Sequence, residues 1–265
     1  PYTTLFRSLD ITANANTISS TTTTPQSLNG ITVDNSGQTL TINGAVIGGD
    51  NSSTYSFNTA IDNTSGGTVN LNDVTFSNNA TDVVNDGEGI KGVFLSGTNF
   101  IDKITDSLSD HSKGQTTISS GTSTIGTLIQ KDISVLDGAA LIIDADKLSA
   151  ENTLSNSGSV RLTGGTSSSS VTGNTAISGS GKITIDGNIN QTADLSSSSS
   201  DDDAISITSG NKLTIDTDNL LGLTSNAGIL ALNGYGTLTK TVTGTGHTDV
   251  ISGRSEEHTS ELQSL

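Results

Sequence analysis

Pairs of aliphatic residues separated by one position recur along the chain: Leu40/Ile42, Val69/Leu71, Val93/Leu95, Leu141/Ile143, Val160/Leu162, Ile183/Ile185, Leu213/Ile215 and Leu230/Leu232. Alternation with a period of two is the mark of a strand with one buried face. In six of the eight, the next residue is Asn or Asp, namely Asn43, Asn72, Asp144, Asp186, Asp216 and Asn233. These residues tolerate left-handed backbone angles and bond their own backbone two residues on, so they predict a sharp corner. Another aliphatic often follows within a few residues, as Val46, Val74, Leu148, Ile189 and Leu220 do. The predicted unit is strand, corner, second strand, with a weaker copy near Ile118.

Most of these units lie within one turn of a β-helix of each other, and periods of roughly 20 to 50 residues point to solenoids. The expected fold class is therefore all-β, a parallel β-solenoid with irregular coils of roughly 20–30 residues and loop insertions. A single coil buries too little aliphatic surface to stand alone, so stability must come from stacking. Pro25 lies outside every proposed strand, as ladder bonding requires. Stretches at 21–24, 167–170 and 196–203 are low in complexity, lack alternation and read as projecting loops. Helical periodicity is nearly missing; its best candidate, 102–109, reads as a polar insertion.

Composition changes the picture at the two ends. PYTTLFRS at 1–8 and RSEEHTSELQS at 254–264 resemble in-frame translations of sequencing adapters, and three of the five Glu (Glu256, Glu257 and Glu261) fall in the second of these. The expected organisation is an artefactual segment at 1–8, one solenoid domain at 9–253 and an artefactual segment at 254–265. The parent reading frame is then expected to continue on both sides.

The chain carries a net charge of −16, and the middle stays acidic without its ends. A field of that sign excludes nucleic acid as a general partner, because phosphate binding needs Lys and Arg to release counterions. Cysteine is absent, which removes disulfides, thiolate ligands and Cys nucleophiles. Aromatics are few: outside the ends there are only Tyr55, Phe57, Phe76, Phe94, Phe100 and Tyr235.

The run of G-x-x-L-x-I-[ND] units, seen in GQTLTIN (37–43) and GNKLTID (210–216), resembles the passenger region of bacterial autotransporters and related extracellular right-handed β-helix adhesins. The resemblance covers about residues 28–250 and is one of repeat style. It implies export, display at the outer membrane or release, and a downstream outer-membrane barrel in the full-length protein. No barrel or other membrane segment is expected in this stretch, since scattered aromatics cannot form the girdles of a barrel.

Candidate chemistry is sparse. Asp110, His111 and Lys113 sit together in SDHSKG, where a hydrolase reading would make His111 the base for a nearby Ser; a polar loop explains the same residues. His247 in TGTGHTD reads as a solvated loop residue. Some β-helix proteins cleave polysaccharides with Asp, Glu, Lys or Arg on a groove face, which makes Asp144, Asp186 and Asp216 a candidate carboxylate row. Asn43, Asn72 and Asn233 occupy equivalent corners, however, so turn chemistry is the simpler cause.

Calcium has weak support in GGDNSS (48–53), DGEG (86–89) and DDD (201–203), none with the spacing of a calcium repeat. Sequons at Asn51, Asn63, Asn79 and Asn190 are expected by chance in so Asn- and Ser-rich a chain. Thr-x-Thr pairs at 39–41, 237–239 and 241–243 do not recur each turn, as an ice-binding row would.

No residue is assigned as catalytic, cofactor-binding or metal-ligating. The expected function is non-catalytic: a structural and adhesive passenger segment, extracellular or cell-surface, meeting host or environmental glycans or proteins. The rival is a polysaccharide-degrading β-helix lyase or glycoside hydrolase. That rival needs carboxylates and cations converging on one face, whereas the cations are spread singly along the sequence.

Overall fold

The computed structural model describes residues 8–18, 29–48, 57–166 and 168–251. Thr21–Thr24, Pro25, Asn51 and most of the two terminal segments lie outside them. Within the described residues the chain winds as a parallel β-solenoid, with 23 strands in one continuous sheet and five in a second. Each complete turn lays down three strands, so the cross-section has three faces.

The first face stacks Leu40 on Val69, Val69 on Val93, and the strand Gly92–Ser96 on Gln115–Ile118. The second stacks Leu141, Val160, Ile183 and Ile205 in order. The third runs through Ile61, Val83, Ile104, Leu128 and Leu148, and later through Ile189, Leu213 and Leu230. Residues from all three faces meet in one hydrophobic cluster that contains Leu40, Val69, Ile183 and Leu213.

The aliphatic-pair motif therefore marks no single side of the coil. Its copies at 40, 69 and 93 lie on the first face, those at 141, 160 and 183 on the second, and those at 213 and 230 on the third. The motif encodes a half-buried strand that ends at a corner, and every side needs one. The shortest turns, from Thr116 to Ile133 and from Leu213 to Leu230, fall below the twenty residues expected. Where the chain leaves the third face between Thr105 and Gln115, an insertion bulges outward. The segment 102–109 is only partly insertion, because 102–105 belongs to the strand Thr98–Thr105.

The corners also work differently from the expectation. None of the six corner Asn and Asp has a positive φ; the left-handed residue is the next one at Gly44 (φ 62°), Asp73 (54°) and Gly234 (82°). Asp144 and Asp216 stay extended at φ −70° and −68° and lead into short 3-10 turns. The Asn or Asp side chain faces outward at the end of the strand, and the bend follows it. Val46 is a second departure: it lies on the outer side, in register with Thr75, while Ala45 and Ile47 fill the core.

Not all inward positions are apolar. At the corner between the third and first faces, Asn63 donates to Asn85 Oδ1 at 2.7 Å and Asn85 donates to Gln130 Oε1 at 2.6 Å, all three fully buried. Asp106 is the residue in register above Asn85, but its carboxylate is taken up by His111 and Lys113 of the insertion, and the longer Gln130 amide reaches Asn85 from one turn further on. Such amide columns satisfy backbone groups that each tight corner leaves unpaired.

Candidate functional site

The strongest sequence candidate, SDHSKG, sits on the insertion 106–114. Its backbone folds back onto Asp106, whose buried carboxylate accepts from the Lys113 N–H at 3.2 Å and lies 2.8 Å from His111 Nδ1. His111 takes φ 54°, a strained value for this residue. Asp86, from the turn below, accepts from Ser107 N–H at 2.9 Å and Ser107 Oγ at 2.6 Å, with Lys113 Nζ at 3.9 Å. Ser112 Oγ donates to Asp110 at 2.9 Å. The hydroxyls of Ser107 and Ser112 are thus given to carboxylates and not to the imidazole, and these contacts pin the loop.

The proposed carboxylate row does not form. Asp144 stacks on Thr163, which separates it from Asp186 in the second-face column, and Asp216 lies on the third face opposite Asn233. No two of the three are adjacent in the stack. Asp144 accepts from the Thr163 hydroxyl. Asp186 accepts from Arg161 Nε (2.8 Å), Thr208 Oγ1 (2.9 Å) and Asn211 Nδ2 (3.1 Å). The hydrogen bond from Arg161 is the main cause of its lowered pKa, followed by that from Thr208.

The other expectations are placed as follows. Asp201 and Asp203 both pair with Lys182, at 3.3 and 2.9 Å. His247 opens the strand His247–Val250 and lies 2.6 Å from Asp249, so it is not a loop residue. Among the described residues no group of three or more His, Cys, Asp or Glu is placed to hold a metal. The sequons at Asn63 and Asn79 carry buried, hydrogen-bonded amides, closed to a glycosyltransferase. The outer column above Thr41 continues with Asn70 and Phe94, so the Thr-x-Thr pair at 39–41 starts no row.

Two features escaped the sequence. Asp82 is a buried carboxylate, 1% exposed, which accepts from Asn79 Nδ2 at 2.9 Å and from the N–H groups of Asp102 and Lys103. Burial pushes its pKa up, against the opposing pull of those hydrogen bonds. The second is a shallow groove of about 380 Å³ on the third face, lined by Lys103, Thr127, Ile129, Asp146, Lys147 and Ser149. The register places Thr127 directly above Lys103, and Lys147 ends the short 3-10 turn Ala145–Lys147, just before Leu148, which stacks on Leu128. Nearby, the Lys131 N–H donates to the Lys113 carbonyl, so those residues are neighbours too. Lys103 and Lys147, far apart in sequence, are brought to one groove.

A parallel β-solenoid with polar outer faces is the class that these features define. Comparison with family models, curated proteins and solved structures finds no match. Among the described residues, no helix is long and apolar enough to cross a membrane.

Proposed function

We propose that this chain is a structural and adhesive section of a secreted or surface-displayed bacterial protein, in the manner of an autotransporter passenger. The single observation that carries the reading is the unbroken core: from Val33 to Leu232, successive turns add their aliphatics to one cluster. A solenoid of that kind gains length without a wider core. Its outer columns present mainly short polar side chains, as in Thr184, Ser206 and Ser225.

Partners would be surface glycans or proteins, and the export barrel would lie downstream in the parent protein. The polysaccharide-degrading alternative draws no support from Asp144, Asp186 and Asp216, which are held apart by the winding. Incubating the full chain with a panel of viscous polysaccharides while testing its retention on glycan- and protein-coated surfaces separates the two. Retention without loss of viscosity is expected; a steady fall in viscosity would replace this reading with the enzyme.

A further inference from the structure

We infer that the third-face groove between Lys103 and Lys147 binds an anionic glycan, one bearing carboxylate or sulfate groups, laid along the solenoid axis. The inference gives the adhesive reading a ligand class and rests on that reading for its biological meaning.

Four observations carry it. Lys103 and Thr127 are in register and Lys147 lines the same groove from the 3-10 turn that precedes Leu148, two turns on from Lys103, or about 10 Å along the axis at the spacing of neighbouring strands. The adjoining column supplies Ile129 and Ser149, which with Thr127 give an aliphatic floor flanked by hydroxyls. An extended glycan repeats at close to the spacing of successive turns, so alternate anionic sugars would meet alternate cations. Apolar floor and hydroxyl rim are the surfaces that sugar faces and sugar hydroxyls match.

Charge is the second argument. On a chain of net charge −16, Lys103 forms no ion pair among the described residues, whereas Lys147 lies 3.2 Å from Asp146. The other acids near the groove are Asp102, exposed at its rim, and Asp82, buried in the turn before Lys103. Lys103 is thus the main anchor and Lys147 the second. Third, the groove lies in the middle of the stack. The strand through Lys103 is paired both with Val83–Asn85 and with the strand that holds Thr127. A peptide captured by strand addition needs a free edge, which these turns lack, so recognition falls to side chains. The fourth is that the winding alone assembles the pair, because 44 residue numbers separate Lys103 from Lys147 and both line one groove.

The test titrates the full chain at low salt, by calorimetry, with a hexamer of galacturonate, a sulfated neutral hexamer and maltohexaose. At least one anionic hexamer is expected to bind, with maltohexaose silent, and the arm that binds identifies carboxylate or sulfate as the source. Lys103→Gln is expected to weaken binding about fivefold, as the loss of one exposed ion pair does, while Lys103→Arg retains it. Lys103→Gln combined with Lys147→Gln weakens it further, and Lys240→Ala, away from the groove, leaves it unchanged. All substituted side chains are at least partly exposed, and circular dichroism checks the fold of each variant. Equal binding of all three hexamers, or an unaltered affinity in the double variant, would overturn the groove. The double variant's retention on coated surfaces reports on the adhesive reading separately.

Discussion

Asn85 uses every hydrogen-bonding position of its amide. It donates to Gln130 and to the Gln115 carbonyl at 3.0 Å, and accepts from Asn63 and from the Gly87 N–H at 3.1 Å. Asn85→Ala would strand the donor of Asn63, the N–H of Gly87 and a carbonyl in a place closed to water. We expect a loss of about 3 kcal/mol, seen as a lower urea midpoint, because each orphaned buried group costs about 1–3 kcal/mol. A midpoint unchanged from the parent would show that the column is ornamental.

Asp82 has the opposite pH logic to Asp186. A carboxyl with a raised folded-state pKa contributes stability below its unfolded value and loses that contribution as pH rises through the folded value. Asp186, held low first by Arg161, contributes above its unfolded pKa and loses that as pH falls. In Asp82→Asn the penalty of burying charge is gone. The melting temperature of the variant relative to the parent should therefore climb as pH rises upward from the ordinary carboxylate range. A flat difference across that range would mean that Asp82 is not buried as described. Neither Asn85 nor Asp82 was legible in the sequence. An inward Asn or Asp looks like an outward one in a single chain, and counting aliphatic alternation passes over positions such as Asn63, Asn99 and Gln130, where a polar group fills the inward place.

At the level of elements, the strands were legible wherever two aliphatics alternate, and the corner was legible as a place but not as a geometry. Asn43, Asn72 and Asn233 end their strands and a following Gly or Asp supplies the left-handed turn, while Asp144 and Asp216 lead into 3-10 turns. Gly97 shows why: at φ 67°, an added Cβ would stand 2.3 Å from Asp73 Oδ1, the acceptor of the Thr98 N–H. Gly97→Ala should cost more than about 1 kcal/mol, since both the backbone angle and the neighbour oppose it. Thermal melting measures this, and an unchanged midpoint would contradict the corner geometry. Strands carried by a single inward aliphatic, such as Leu154–Asn156 and Ile177–Gly179, gave no periodic signal at all. Three residues are too few to show a period, and only stacking on their neighbours makes them strands.

For the whole molecule, the sequence disclosed that coils exist but not which strand covers which. Loop insertions shift the motif from face to face, so spacing along the chain loses track of the side on which a strand lies. That same winding separates Asp144, Asp186 and Asp216 and collects Lys103 with Lys147, reversing what linear spacing implied for both sets. All of it depends on register between successive turns. The chain's lack of cysteine permits a direct measurement of that register. Thr184 and Ser206 are partners on the second face, their hydroxyl oxygens 3.3 Å apart, and Ser225 follows Ser206 one turn further. Neighbouring strands lie about 4.8 Å apart and alternate ones about twice that, so only the first pair is within disulfide reach. The account predicts that Thr184→Cys with Ser206→Cys closes an intramolecular disulfide under mild oxidation, while Thr184→Cys with Ser225→Cys stays reduced. Closure of the second pair as readily as the first, or of neither, would contradict the stacked solenoid.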